Sequence, residues 1–166
     1  MKLRLVLMIV SLGLFSCDKK EKKYYELLAS INNSAHEESV AKLDDSLAQF
    51  NKFLDSNKIY DGKSFLSKTE LSESVSFLNC IEDYKKILEN KKKESASKAK
   101  WKSNLIELKN PLTLQKLDDP DKVIASVEDR IEKIDNRLKQ VEVELSRKKI
   151  SCDNAYSKTV SLSKSS

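Results

Sequence analysis

Between Asp119 and Cys152 an apolar residue recurs every three or four positions: Ile124, Val127, Ile131, Ile134, Leu138, Val141 and Leu145, continued by Lys148 and Cys152. A 3-4-3-4 alternation puts one apolar stripe along one face of a helix, and that stripe has to pack against another helix to leave water. The start of this helix is written in Asp119-Pro120, with Asp as N-cap and Pro at the first helical position, where its missing N–H costs nothing. Acid-to-base pairs four residues apart, Asp129–Lys133, Asp135–Lys139 and Glu144–Lys148, support its solvent face by a few tenths of a kcal/mol each.

The rest of the chain has to cover that stripe. Gly and Pro number only two each in 166 residues. Gly13 falls in an apolar leader, so Gly62 is the one glycine beyond it. Sheets need many turns, and turns draw on Gly, Pro and Asn. A chain so poor in them is expected to be all-α, with few connections. With 39% hydrophobic and 34% charged residues, it can fold rather than remain disordered.

Two further helices can be read. Asn32-Asn33 breaks a short amphipathic piece over 24–31, and Ser34 with Glu37 has the spacing of a capping box. Val40, Leu43, Leu47, Phe50 and Leu54 then repeat at helical spacing, closed by 55–57 and by Asp61-Gly62. Ser67 with Glu70 is a second capping box, followed by Leu71, Val75, Leu78, Ile81, Tyr84 and Leu88. Residues 89–100 are nearly without apolar side chains, but they lack Pro and Gly and carry a Glu94–Lys98 pair. We expect them to stay helical through to Trp101, Leu105 and Leu108. Asn110-Pro111 ends that helix. Leu112, Leu114 and Leu117 read as an apolar plug at a hairpin tip, and the tail from Ser157 is expected to fray.

The first residues read as a secretion signal. Lys2 and Arg4 precede an apolar run from Leu5 to Leu14, too short to span a bilayer. It ends in Leu14-Phe15-Ser16-Cys17, which resembles the lipobox of bacterial lipoproteins, although Phe15 stands where a small or β-branched residue is common. The resemblance implies that residues 1–16 are removed and that Cys17 becomes the lipidated first residue, carrying several acyl chains and anchoring the protein in a membrane. Asp18 resembles the signal that, in enterobacteria, retains such proteins on the periplasmic face of the inner membrane. Residues 17–33 then form a lipidated N-terminus and tether, and 34–160 the helical domain. Lysines of the charged stretch 18–23 lie close enough to the anchor to touch anionic headgroups, though a solvated spacer is the plainer reading.

With Cys17 assigned to lipid, Cys80 and Cys152 remain. From Cys80 to Asn110 is 30 residues and from Pro120 to Cys152 is 32. An antiparallel hairpin turning over 111–119 therefore brings the two cysteines to one level. The same register pairs Trp101 with Ile131, Leu105 with Val127 and Leu88 with Leu145. A Cys80–Cys152 disulfide follows; buried free thiols or an intermolecular bridge are the alternatives. Ile134, Leu138 and Val141 face the polar 89–100 level, so they call for cover from the helix of Val40–Leu54 or from a second copy. The expected fold is a long antiparallel helical hairpin with a third covering helix.

Chemistry is sparse. The chain has no Cys-x-x-Cys, Gly-rich phosphate loop, His-Glu-x-x-His or Gly-x-Ser-x-Gly. His36, the single histidine, lies among glutamates and reads as a surface residue. Acid pairs such as Asp44-Asp45, Glu82-Asp83 and Asp118-Asp119 read as surface charge. Without Lys2 and Arg4 there are 29 bases against 26 acids, a net of +3, too mild and too mixed to argue for nucleic acid. We expect no enzyme activity, cofactor or metal.

Phe77-Leu78-Asn79-Cys80 and Cys152-Asp153-Asn154-Ala155 resemble the two cysteine motifs of small entry-exclusion lipoproteins of conjugative plasmids. In this chain a long hairpin separates the motifs, where that family has a short segment. The resemblance implies action by protein contact: blocking redundant DNA transfer by meeting a type IV secretion component at the inner membrane. The alternative is a periplasmic inhibitor or an envelope-stabilising lipoprotein.

Overall fold

The computed structural model describes residues 2–57, 59 and 66–163, with side chains from Lys19 onward. Among these residues every regular element is a helix: α1 (Lys2–His36), α2 (Val40–Ser56), α3 (Lys68–Leu108), the single turn α4 (Pro111–Leu114) and α5 (Pro120–Ser163). The chain is all-α, and α3 is continuous through 89–100. It divides into two compact units, Met1–Lys85 with Lys149–Ser166, and Lys86–Lys148.

In the first unit α1 does not stop at Asn32-Asn33. It runs to His36, and the break falls at 37–39, where Glu38 adopts a left-handed φ of 51°. Packing overrides the modest helix cost of the two asparagines. Ile31 is fully buried and Ala35 nearly so, while the Ser34 hydroxyl meets the Ser46 hydroxyl of α2 at 2.9 Å. Ser34 is therefore a contact inside α1. The N-cap of α2 is Ser39, whose hydroxyl accepts from the Lys42 amide at 3.4 Å. The helical domain accordingly begins well before residue 34: Tyr24, Leu27 and Leu28 are buried, so 24–33 belong to the core and not to a tether.

α2 buries Leu43, Ser46, Phe50 and Leu54, with Phe50 against Tyr24 at 5.2 Å between ring centroids. The expected closure by Asp61-Gly62 lies outside the described residues. The second capping box forms as expected. The Ser67 amide donates to Glu70 Oε2 at 2.8 Å, and the Glu70 amide donates to Ser67 Oγ at 3.2 Å.

The inward face of α3 begins one residue earlier than the sequence pattern indicates. Glu70, Ser74 and Phe77 are buried there, while Val75 is 47% exposed. Two partners turn this side inward: Tyr25 Oη donates to Glu70 Oε1 at 2.9 Å, and Phe77 packs on Tyr156 of α5 with centroids 5.3 Å apart. Burying an aromatic side chain of this size contributes roughly 1.5–3 kcal/mol, more than a solvated Val75 gives up. Cys80 and Cys152 form a disulfide, with Cα atoms 5.5 Å apart. The end of α5 does not fray at Ser157. Helix continues to Ser163, and Thr159 is fully buried, its hydroxyl donating to the Ala155 carbonyl at 3.0 Å.

The second unit is an antiparallel hairpin of α3 and α5. Leu88, Val127, Ile134, Val141 and Leu145 are buried, while Ile124, Ile131, Leu138, Trp101, Leu105 and Leu108 are half-buried. The α5 stripe thus lies inward along its length. Ile134 and Val141 are only 3% and 6% exposed within the single chain, so no second copy is needed to cover them. Lys91, Glu94 and Lys98 are half-buried at that level; their aliphatic stems lie along the seam and their charged ends reach α5. The apolar residues of α2 pack in the first unit.

The connection is capped at both ends. The Asn110 side chain accepts from the Leu112 amide at 3.0 Å, and Asp119 Oδ1 accepts from the Lys122 amide at 3.1 Å. Leu112, Leu114 and Leu117 do not form a plug: none of α4 is buried, and Leu112 is 71% exposed.

Candidate functional site

The two four-residue cysteine motifs meet in the first unit. Cys80 and Cys152, 8% and 3% exposed, join α3 to α5. One turn before Cys80, Phe77 is fully buried; next to Cys152, Asp153 Oδ1 meets His36 Nε2 at 2.9 Å. His36 is thus half-exposed, as its sequence surroundings indicate, but it has a partner 117 residues away that no local signal revealed. The contact ties the end of α1 to α5 beside the disulfide.

Tyr84 extends this junction. It is 1% exposed, and its hydroxyl donates to the Ala35 carbonyl at 3.3 Å. Burial, reinforced by the negative charges of Glu38 and Asp153, pushes its pKa up to about 12. Burial also raises Tyr156. Tyr25 is raised by burial and then by its bond to the Glu70 carboxylate. For Glu70 burial works in the opposite sense to its hydrogen bonds. Donors from Ser67 and from Tyr25 outweigh it, and the carboxyl lies below its usual range. Each shifted group is held in a structural bond or in the aromatic core. Sequence reading missed the Tyr25–Glu70 bond because the capping box already gave Glu70 a role.

In the second unit four ion pairs cross the seam. Arg137 grips Glu94 with Nε and Nη2, both at 3.1 Å, and Lys98 pairs with Asp135. Lys91 reaches Glu142 at 4.0 Å and Lys109 reaches Glu128 at 2.9 Å. The Arg130 guanidinium lies 4.8 Å over the Trp101 ring, one residue from the expected Trp101–Ile131 level. Glu94 and Asp135 therefore serve interhelical pairs, whereas Asp129–Lys133 is the expected pair along α5, at 2.7 Å. Among the exposed residues around the turn are two large aliphatic ones: Ile106 is 75% and Leu112 71% exposed. A shallow open hollow on α5 is lined by Lys139, Gln140, Val143, Glu144 and Arg147.

Cys17 lies in the backbone of α1; its side chain and that of Asp18 are outside the described side chains. Among the described residues no helix is long and apolar enough to cross a membrane, and no three His, Cys, Asp or Glu side chains are grouped to hold a metal ion. Comparison with protein-family models, with curated proteins and with solved structures finds no match.

Proposed function

We propose that this chain is a lipid-anchored protein of the bacterial envelope that works by protein–protein contact, held to the membrane through Cys17. The observation that carries the reading is the division of labour in the second unit. Four ion pairs cross its own seam, while Ile106 and Leu112 are left in solvent on either side of the Asn110-Pro111 break. Ile106 and Leu112 are the two most exposed of the large hydrophobic side chains described, and together at one tip they offer apolar surface that a partner can bury. The shifted carboxyl of Glu70 and the shifted phenols are held in structural bonds or in the aromatic core rather than presented to a substrate, which also favours contact over chemistry.

Within that class, entry exclusion during conjugation is the sharper proposal. The two motifs that resemble those of entry-exclusion lipoproteins converge on one disulfide, and the partner would be a component of the incoming type IV secretion machinery. The test is a mating assay in recipients that do or do not express the chain. Plasmid uptake is expected to fall with the wild-type chain and to recover with Cys17→Ser. Equal uptake in all recipients overturns exclusion.

A further inference from the structure

We infer that Lys19, Lys20, Lys22 and Lys23 form a second membrane contact, a basic collar that binds anionic lipid headgroups. The inference rests on the proposed anchor at Cys17. Its structural basis is reach. These residues are not a flexible tether but part of α1, the helix that carries the core. Tyr24 is already 1% exposed, so only seven residues, about 10 Å of helix, separate it from Cys17. A folded unit held that closely cannot lift the intervening lysines more than about a Debye length, roughly 8–10 Å, from the headgroups.

The distribution of charge fits that position. All four lysines are exposed. At about 100° per residue Lys19, Lys22 and Lys23 fall on the sides of α1 away from the Tyr24–Leu28–Ile31 face, and Lys20 falls near that face. The lysines therefore share one arc of about 160° around the helix, and a tilt of α1 that turns this side toward the surface brings all four to the lipid. The acids in the collar are Asp18 and Glu21. Lys23 also reaches Glu26, at a loose 3.5 Å with both side chains more than half exposed, a pair weak enough to yield to headgroup phosphates. Lysines this close to an anionic leaflet add to the hold of an acyl anchor.

The experiment uses the full chain purified from the envelope and mixed with preformed vesicles. One set is phosphatidylcholine alone and the other an equal mixture with phosphatidylglycerol. A water-soluble amine-acetylating reagent is added, and peptide mass spectrometry reads each lysine. Acetylation of the four collar lysines is expected to be at least threefold slower on the anionic vesicles and to recover in 0.5 M salt. Lys42, beyond the opposite end of α1, should not change. Equal rates at the collar on both vesicles overturn the inference. The mass of the N-terminal peptide reports acylation of Cys17 independently. If Cys17 carries no acyl chain, the anchor reading fails, and the collar stands or falls on the same comparison of rates.

Discussion

Arg137 of α5 holds Glu94 of α3 through two parallel bonds, Nε to Oε1 and Nη2 to Oε2, each 3.1 Å long. The carboxylate is mostly covered, at 21% exposure, whereas the arginine is half in solvent. A planar fork fits a carboxylate in a way that an ammonium does not. A double-mutant cycle of Glu94→Ala and Arg137→Ala, read by urea unfolding, is therefore expected to give a coupling of about 0.5–1 kcal/mol. Arg137→Lys should keep only part of it. Equal stability of the Lys variant and wild type would mean that charge alone matters.

The Cys80–Cys152 bond closes a loop with a sequence separation of 72. In the chain-entropy model such a loop stabilises by about 4 kcal/mol. Cys80→Ala/Cys152→Ala should lose an amount of that order, and intact protein should be lighter than its reduced form by two hydrogens. A monomer that gains no mass on reduction would contradict the bridge.

Glu70 ties α3 to α1 through Tyr25 and caps α3 with Ser67. Its folded-state carboxyl lies below the unfolded value. Between those two values the unfolded chain binds more protons, so stability rises with pH there. The contribution is complete above the unfolded Glu value, about 4.3, and disappears as pH falls through the folded one. Glu70→Gln should weaken the protein at neutral pH and flatten the acid limb of a stability–pH curve. Parallel acid limbs in the variant and wild type would show that Glu70 is not the titrating group.

Tyr84 gives the opposite limb. Its folded-state pKa of about 12 lies above the ordinary tyrosine value of about 10. Between the two the folded chain holds the proton, so stability falls as pH rises. That contribution is whole below about 10 and is lost by about 12. In Tyr84→Phe the alkaline transition should be shallower, at some loss of stability near neutral pH from the missing bond to the Ala35 carbonyl. Phenolate absorbance during alkaline titration checks the assignment.

The parts of this fold that were legible in the sequence rest on local or strictly periodic signals. The α5 stripe, the Ser67–Glu70 box, the Asp119-Pro120 start and the level of the two cysteines each follow from spacing along one helix or from equal arm lengths. The failures share a different cause. The first helix break needs a left-handed residue, and Glu38 supplies it without the glycine that would have marked it. The α3 face is turned by Tyr25 and Tyr156, partners 45 residues before Glu70 and 79 residues after Phe77, which no window of α3 contains. At the tip, three leucines read as a plug because apolar residues near a turn normally find a core, and here Leu112 finds none. Of the candidate site, the cysteines were readable, but Asp153 opposite His36 was not.

The tip separates folding from contact most cleanly. Ile134 is 3% exposed, and truncating it to Ala removes buried methyl groups and leaves a cavity, so a cost of about 2–4 kcal/mol is expected. Ile106 and Leu112 have little to lose, being 75% and 71% exposed. Ile106→Ser and Leu112→Ser should each change stability by no more than about 0.5 kcal/mol. If the tip is where a partner docks, the same two substitutions together should abolish the drop in plasmid uptake in the mating assay while circular dichroism and thermal unfolding stay at wild-type values. Full exclusion by the doubly substituted chain would move the contact surface away from the tip, to faces such as the α5 hollow around Val143.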